Sequence, residues 1–280
     1  MGDLFIVSTP IGNLGDITRR AVETLRAADV VLAEDTRRTG LLLRHLEIEA
    51  RLLSAHEHNE AERAGRVLQL LAEGKAVALV TDAGTPLLSD PGARIVRAAA
   101  EAGHRVVPIP GASALLAGLV AAGIDAQTFT FLGFLPRRGP ERAALLDEVA
   151  ASPRATVLYE SPNRLNRLLL DLAETAGADR QVAVGRELTK LHEEVYRGTA
   201  AEAAAQFAGE VLGEVVVVVA ARPTEAAAEA AVDALAAESL ARALFAQGMG
   251  ASAVARELKR RLGIARNEAY RLAQEAAPAD

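Results

Sequence analysis

Short apolar runs alternate with longer segments of helical composition through the first 122 residues. Residues 4–8, 30–33, 76–80 and 106–108 have the apolar, β-branched content of strands, and 51–54 reads as a further short strand. Between them, 18–28, 38–46, a segment from His56 to about Glu73, 93–102 and a small-residue stretch ending at Ala122 read as helices. Asp16 is placed to cap the first of these. A strand and a helix taken in turn predict a doubly wound α/β domain.

After Gly123 the pattern changes. Residues 129–134 hold three of the chain's six Phe and alternate as an exposed-edge strand does. A helix over 140–150, a strand over 156–159, a helix over 164–175 and a strand over 182–184 follow. Residues 193–197 and 215–219 read as a strand pair flanking a helix at 201–206, which makes a second α/β domain of mixed sheet. From Arg222 the chain is an Ala/Glu-rich linker and then three short helical pieces, broken by Gly248, Gly250 and Gly263. The expected organisation is 1–122, 123–222 and 223–280.

The loops carry the chemistry. The stretch 81–92, T-D-A-G-T-P-L-L-S-D-P-G, lies between a strand and a helix and is twelve residues long. An ordinary strand-to-helix loop has about 2–6 residues. Its Gly and Pro residues preset the backbone, and in an open parallel sheet ligands bind beyond the carboxyl ends of strands. The stretch is therefore expected to wall a binding site. The loop after the first strand has Gly12 and Gly15, and Glu34 ends the second strand, where a ribose-binding acid would stand. Its spacing is G-x-x-G, however, and Pro10 occupies the tight turn, so a substrate-facing loop fits better than a dinucleotide fingerprint. Arg186 to Lys190, with His192 beyond, and Glu160 occupy strand ends too, where a site and a surface ion pair are both open readings. His56 and His58, among Glu57 and Glu60, read as a solvated helix start rather than metal ligands, and no metal site is expected.

Composition narrows the class. There is no cysteine, hence no disulfide framework and no thiolate site. The net charge is −6, which disfavours nucleic-acid binding by the whole surface but not by a local patch. Such a patch exists: 240–274 hold seven Arg or Lys against two Glu. Within it Ser252 is a candidate N-cap and Gly263 a stop. Arg256, Lys259 and Arg260 share one helix face, and Val254, Leu258 and Leu262 another. The N-terminus lacks a basic n-region, and no apolar run approaches the roughly 20 residues of a bilayer span, so a soluble cytoplasmic protein without a membrane partner is expected.

Several motifs together resemble one family. They are T-P-I-G-N-L-G-D-I-T from Thr9, A-E-D-T-R from Ala33, H-x-H-N-E from His56, the 81–92 stretch, P-G-A-S-A from Pro110, F-x-F-x-G-F-L-P from Phe129, Y-E-S-P-x-R from Tyr159, R-E-L-T-K-x-H-E-E from Arg186 and R-N-E-x-Y from Arg266. The chain is similar to the tetrapyrrole-methylase superfamily, in its ribosomal RNA branch, which methylates a cytidine 2′-hydroxyl of 16S rRNA in the small ribosomal subunit. The resemblance implies two α/β domains of that type with a cleft between them, a small helical module at the C-terminus, a homodimer, and S-adenosylmethionine (SAM) as cofactor. It places the cofactor against Ala83, Gly84, Thr85, Pro86, Leu88, Ser89, Asp90, Ser113, Ala114, Tyr159, Glu187, Leu188 and Gly213. RNA is expected along Pro10, Asn13, Glu34, Asp35, Arg37 and His58, and on Arg256, Lys259 and Arg260 of the tail. A ribose hydroxyl is a weak acid, so a base or cation should assist; Glu187, Lys190 and Asp35 are the candidates, with Glu34 beside them. Porphyrin-modifying relatives have G-D-P where this chain has Gly84-Thr85-Pro86, which argues against a tetrapyrrole methyltransferase. A dinucleotide-dependent (NAD-type) oxidoreductase is the alternative from another class, and tight binding of SAM rather than NAD would separate the two.

Overall fold

A computed structural model describes residues 1–56, 59–223, 237–262 and 266–276, with 266–268 by backbone only. His58 and Gly263 lie outside the described residues, as does the linker from 224 to 236. The chain forms two compact units, Met1–Arg222 and Pro223–Asp280.

The first unit holds two five-stranded sheets. Strands β1 (Asp3–Val7), β2 (Val30–Ala33), β3 (Leu52–Ser54), β4 (Val77–Leu79) and β5 (Arg105–Ile109) form the first, in the order β3-β2-β4-β1-β5. Every pairing is parallel. Parallel strands need crossovers, and α1 (Arg19–Ala27), α2 (Thr36–His45), α3 (Glu60–Ala72) and α4 (Ala93–Glu101) supply them. Alternate residues of the strands face opposite layers. Leu4, Leu32, Val77 and Leu79 pack with Val67, Leu71 and Ile95 of α3 and α4. Val7, Val31, Ala33 and Ala78 pack with Ala21, Leu25 and Leu43 of α1 and α2. This is the doubly wound arrangement read from the apolar runs.

Strands β6 (Phe129–Phe134), β7 (Ala155–Glu160), β8 (Gln181–Arg186), β9 (Glu194–Thr199) and β10 (Val215–Val219) form the second sheet, in the order β6-β7-β10-β8-β9. Only β6 and β7 run parallel. Helices α6 (Pro140–Ala151), α7 (Pro162–Thr175) and α8 (Ala200–Gln206) cover one face around Leu165, Leu168, Leu169 and Leu172. Helix α5 (Ala114–Ala121) leaves the first sheet but packs on the other face of the second, with Leu115 against Val157, Ala183 and Val216. It approaches so closely that a Cβ on Gly118 would lie 2.6 Å from Val216 Cγ1.

Three expectations need correction. Residues 193–197 and 215–219 are not a strand pair: β8 and β9 form the hairpin, and β10 slots between β7 and β8. A strand of five buried valines belongs where both its edges are bonded and both faces covered. Asp16 does not cap α1; it closes a 3₁₀ turn, and Thr18 accepts the hydrogen bond from the Ala21 amide. Ser252 does not cap its helix either, because the Gly250 carbonyl already accepts from Val254.

In the second unit, residues 237–246 are helical and are followed by α10 (Ala251–Leu262) and α11 (Arg266–Glu275); the 237–246 helix is α9. Their shared core is Ala241, Leu244, Val254, Leu258, Leu272 and Ala273, with Tyr270 packed against it. Leu262, expected on the buried face, is 38% exposed. No helix among the described residues is long and apolar enough to cross a membrane.

Candidate functional site

Between the two sheets of the first unit lies a cleft of about 430 Å³. One wall is the loop after β4. Gly84, Leu87, Ser89 and Gly92 all have positive φ there. Two of these are not glycine, so the fold holds this loop in a conformation that side chains resist. An isolated bridge ties it to the loop after β1: the Thr9 amide donates to Gly84 O at 2.9 Å and the Gly84 amide to Thr9 O at 3.1 Å. A Cβ on Gly84 would sit 3.2 Å from Ile11 Cγ2, at a φ of 85°. From below, the Glu60 carboxylate accepts from the amides of Gly92 and Arg94 and so closes the N-terminus of α4.

Other elements complete the cleft. Glu34 and Arg38 come from the end of β2 and the start of α2; Phe134, Tyr159, Glu160 and Ser161 from the ends of β6 and β7; Gly213 to Val216 from the entry to β10. Tyr159 is fixed by its hydroxyl, which accepts from the Leu115 amide at 3.1 Å, and by edge contact with Phe131. Of the residues expected at the cofactor, Ala83, Gly84, Thr85, Leu88, Ser89, Asp90, Ala114, Tyr159, Leu188 and Gly213 line this cleft. Pro86 is buried behind the loop, and Ser113 caps α5 through the Leu116 amide.

Glu187 stands behind the wall as well. Its carboxylate accepts from Lys190 Nζ at 2.7 Å and from the Glu214 amide at 3.0 Å. It occupies the space a Cβ on Gly213 would need. Lys190 also reaches Glu214 at 3.2 Å, and its stem lies over Gly12. Burial would lower the Lys190 pKa, but the two carboxylates together outweigh it and the net shift is upward. The amine stays charged and acts as a strut between three loops.

Asp35 caps α2 through the Arg37 amide and pairs with the Arg37 guanidinium at 2.6 Å, which holds its carboxyl far below the usual range. Arg37 itself is exposed. The Asn13 side-chain oxygen accepts from the Gly15 amide, and the Asn13 backbone N–H donates to the Thr189 hydroxyl. Pro10 borders a second, smaller groove beside the cleft.

The cleft's charged lining is one-sided: Glu34, Asp82, Asp90, Glu160 and Glu214 against Arg38. Glu34 Oε2 accepts from the Thr81 hydroxyl at 3.0 Å, and Asp90 reaches the same hydroxyl. Burial first, then the charges of Glu34 and Asp82, push the Asp90 carboxyl up to about 6 against that hydrogen bond. Asp82 is raised too, chiefly by burial. Glu160 has a fully buried side chain; its Oε1 accepts from the Ser161 amide and from Arg164, while Oε2 has no partner among the described residues. Sequence reasoning took in Asp82 only as part of the 81–92 stretch, left out Arg38 and left Glu160 ambiguous. The usable signal for Asp82 and Glu160 was their place at the carboxyl ends of β4 and β7.

Comparison with known proteins agrees with this fold. A family model described as Tetrapyrrole (Corrin/Porphyrin) Methylases matches residues 3–204. A protein of Synechocystis sp. called ribosomal RNA small subunit methyltransferase I is 43% identical over 275 residues, 98% of each chain. Proteins of the same name from Mesorhizobium japonicum and Bacillus subtilis are 46% and 48% identical, over 82% and 72% of this chain and 78% and 69% of theirs. Among solved structures, the methyltransferase CobJ aligns with a TM-score of 0.60 at 20% identity, covering 80% of this chain and 96% of that one. A uroporphyrin-III C-methyltransferase from Thermus thermophilus, complexed with S-adenosylhomocysteine, aligns at 0.56 and 18%, covering 78% and 97%. At such identities the two structures speak for the fold.

Proposed function

Since this chain belongs to the tetrapyrrole methylases, and within them to the ribosomal RNA small subunit methyltransferase I group, we propose that its cleft binds SAM and that it methylates a cytidine 2′-hydroxyl of 16S rRNA in the small ribosomal subunit. It is a SAM-dependent ribosomal RNA methyltransferase.

The observation that carries the reading is the acidic lining. A ligand with a sulfonium and an ammonium group suits five carboxylates and one arginine. The pyrophosphate of a dinucleotide, or a tetrapyrrole bearing carboxylates, would meet the same charges unfavourably. The unpartnered Glu160 Oε2 asks for a donor from a bound ligand, because a buried acceptor left alone is costly. Gly84 and Gly213 line the cleft with backbone at positive φ, and a Cβ on either would press into the protein behind it, on Ile11 and on Glu187.

SAM, when bound, supplies an electrophilic methyl group. The chain's own task is to position the ribose and remove its proton. Asp90 is the acceptor we assign. It lines the cleft, and burial together with the charges of Glu34 and Asp82 raises its carboxyl to about 6, so it can take up a proton near neutral pH.

Of the expected RNA rim, Glu34 lines this cleft, Pro10 lines the adjoining groove, and the Asp35 amide donates to Asp82, which lines both. The tail's exposed Arg256 and Lys259 are the further phosphate contacts we assign, with Arg260 weaker because Glu257 holds it at 2.8 Å. Helix α5 is apolar on both sides; its outer side exposes Leu116 and Val120, one turn apart, as a homodimer contact would. Action on ribosomal subunits supports a cytoplasmic protein. Calorimetry with SAM and NAD, followed by methyl mapping of 16S rRNA from a strain lacking the gene, tests the reading. Tight NAD binding, or an unchanged methylation pattern, would overturn it.

A further inference from the structure

The second groove, about 210 Å³, adjoins the cleft and has a different character. Its walls are Pro10 and Leu14 from the loop after β1, and Leu41, Leu42 and His45 from α2. Leu14 is 43% and Leu41 60% exposed, so apolar surface is offered to solvent here. Its charged lining residues are Arg38, from a helix that carries no acidic residue, and Asp82. The groove thus combines an apolar floor with an arginine at its edge. That is the complement of a nucleotide, which has an apolar base face and an anionic phosphate.

Two residues line both cavities: Arg38 and Asp82. Arg38 Nη1 stands 3.5 Å from Asp82 Oδ2, and the guanidinium is 67% exposed. An ion pair so long and so wet is weak, and the arginine is available to another anion. A phosphodiester links two consecutive nucleosides. One held at a wall shared by two cavities leaves a nucleoside on either side.

We propose that this groove is an RNA subsite. Arg38 takes the phosphate adjoining the methylated nucleotide, and the groove receives the unstacked base of its neighbour while the target ribose occupies the cleft. The assignment rests on the ribosomal RNA reading and adds a recognition element to it.

The test uses the full-length protein, unmethylated small ribosomal subunits, and a single-stranded RNA fragment spanning the methylated position. Leu41 is an exposed helix residue, so Leu41→Asp leaves the fold intact. It should raise KM for subunits about tenfold and weaken fragment binding, measured with S-adenosylhomocysteine present, by a similar factor. Leu41→Phe should restore both, and SAM affinity should not move. Arg38→Gln should lower the slope of log affinity against log salt by about one. Unchanged KM and binding in Leu41→Asp would overturn the subsite. So would a KM that rises on subunits while fragment binding is unaffected, since the groove would then face a ribosomal protein. A wild-type protein that binds SAM yet methylates no ribosomal RNA would instead overturn the parent reading, whatever the variants do.

Discussion

Thr81 Oγ1 donates to Glu34 Oε2 at 3.0 Å and so ties the carboxyl end of β4 to that of β2, its neighbour in the sheet. Asp90 lies near the same hydroxyl, on the cleft wall that Glu34 also lines.

The rate should therefore follow the ionisation of Asp90. Its folded value of about 6 lies above the ordinary 3.8, so kcat should rise with pH through about 6 and then level off. Asp90→Asn should lower kcat at least about a hundredfold and abolish that limb. Stability moves the other way. Between about pH 4 and 6 the folded state binds the extra proton, so the carboxyl costs stability as pH rises. Asp90→Asn should then stabilise the protein by about 1 kcal/mol at pH 8, discounted for partial exposure, and by nothing at pH 3.5. Thermal melts at the two pH values check this.

Gly84→Ala should weaken SAM binding about tenfold or more. The new Cβ strains a residue at φ 85° and presses on Ile11, and the Thr9 bridge resists relaxation. Calorimetry beside a circular-dichroism spectrum separates lost affinity from lost fold.

The homodimer contact proposed on α5 predicts that light scattering gives a dimer for the wild type and a monomer for Val120→Asp. Val120 is 82% exposed, so the monomer's fold should not suffer.

Asp171→Ala should cost about 3–5 kcal/mol, read from chemical denaturation. Asp171 accepts from Arg142 at 2.7 Å, both side chains are nearly buried, and the variant leaves that guanidinium uncompensated.

Replacing Arg256 and Lys259 by Gln should reduce the salt slope of subunit binding by about two, without affecting SAM. Adding Arg260→Gln should change it little further. Glu257, drawn down to about 2 by hydrogen bonds from Arg260 and Arg261, already neutralises that group in part.

Strands and helices were legible because each apolar run is short and its neighbours are polar. What failed depended on choices between equivalent partners. Asp16 and Thr18 can both cap a helix, and only the path of the chain decides for Thr18. Five valines announce a strand, but not which edges it joins. The wall at 81–92 was legible from its length and its place after a strand. Arg38 was not, because it sits in the first turn of a helix whose other arginines look the same. The Glu187–Lys190 pair resembled chemistry in sequence, since a strut and a catalytic couple use the same residue types.

The position of β10 has a consequence for synthesis. It is the last strand of the first unit to leave the ribosome, yet it occupies the middle of its sheet and supplies Gly213 to Val216 of the cleft floor. Until residue 219 emerges, β7 and β8 each present an open edge with nothing between them. The nascent chain must hold that gap free of other strands for the whole interval from β8 to β10, and it acquires a place for its cofactor only when the final strand slides in.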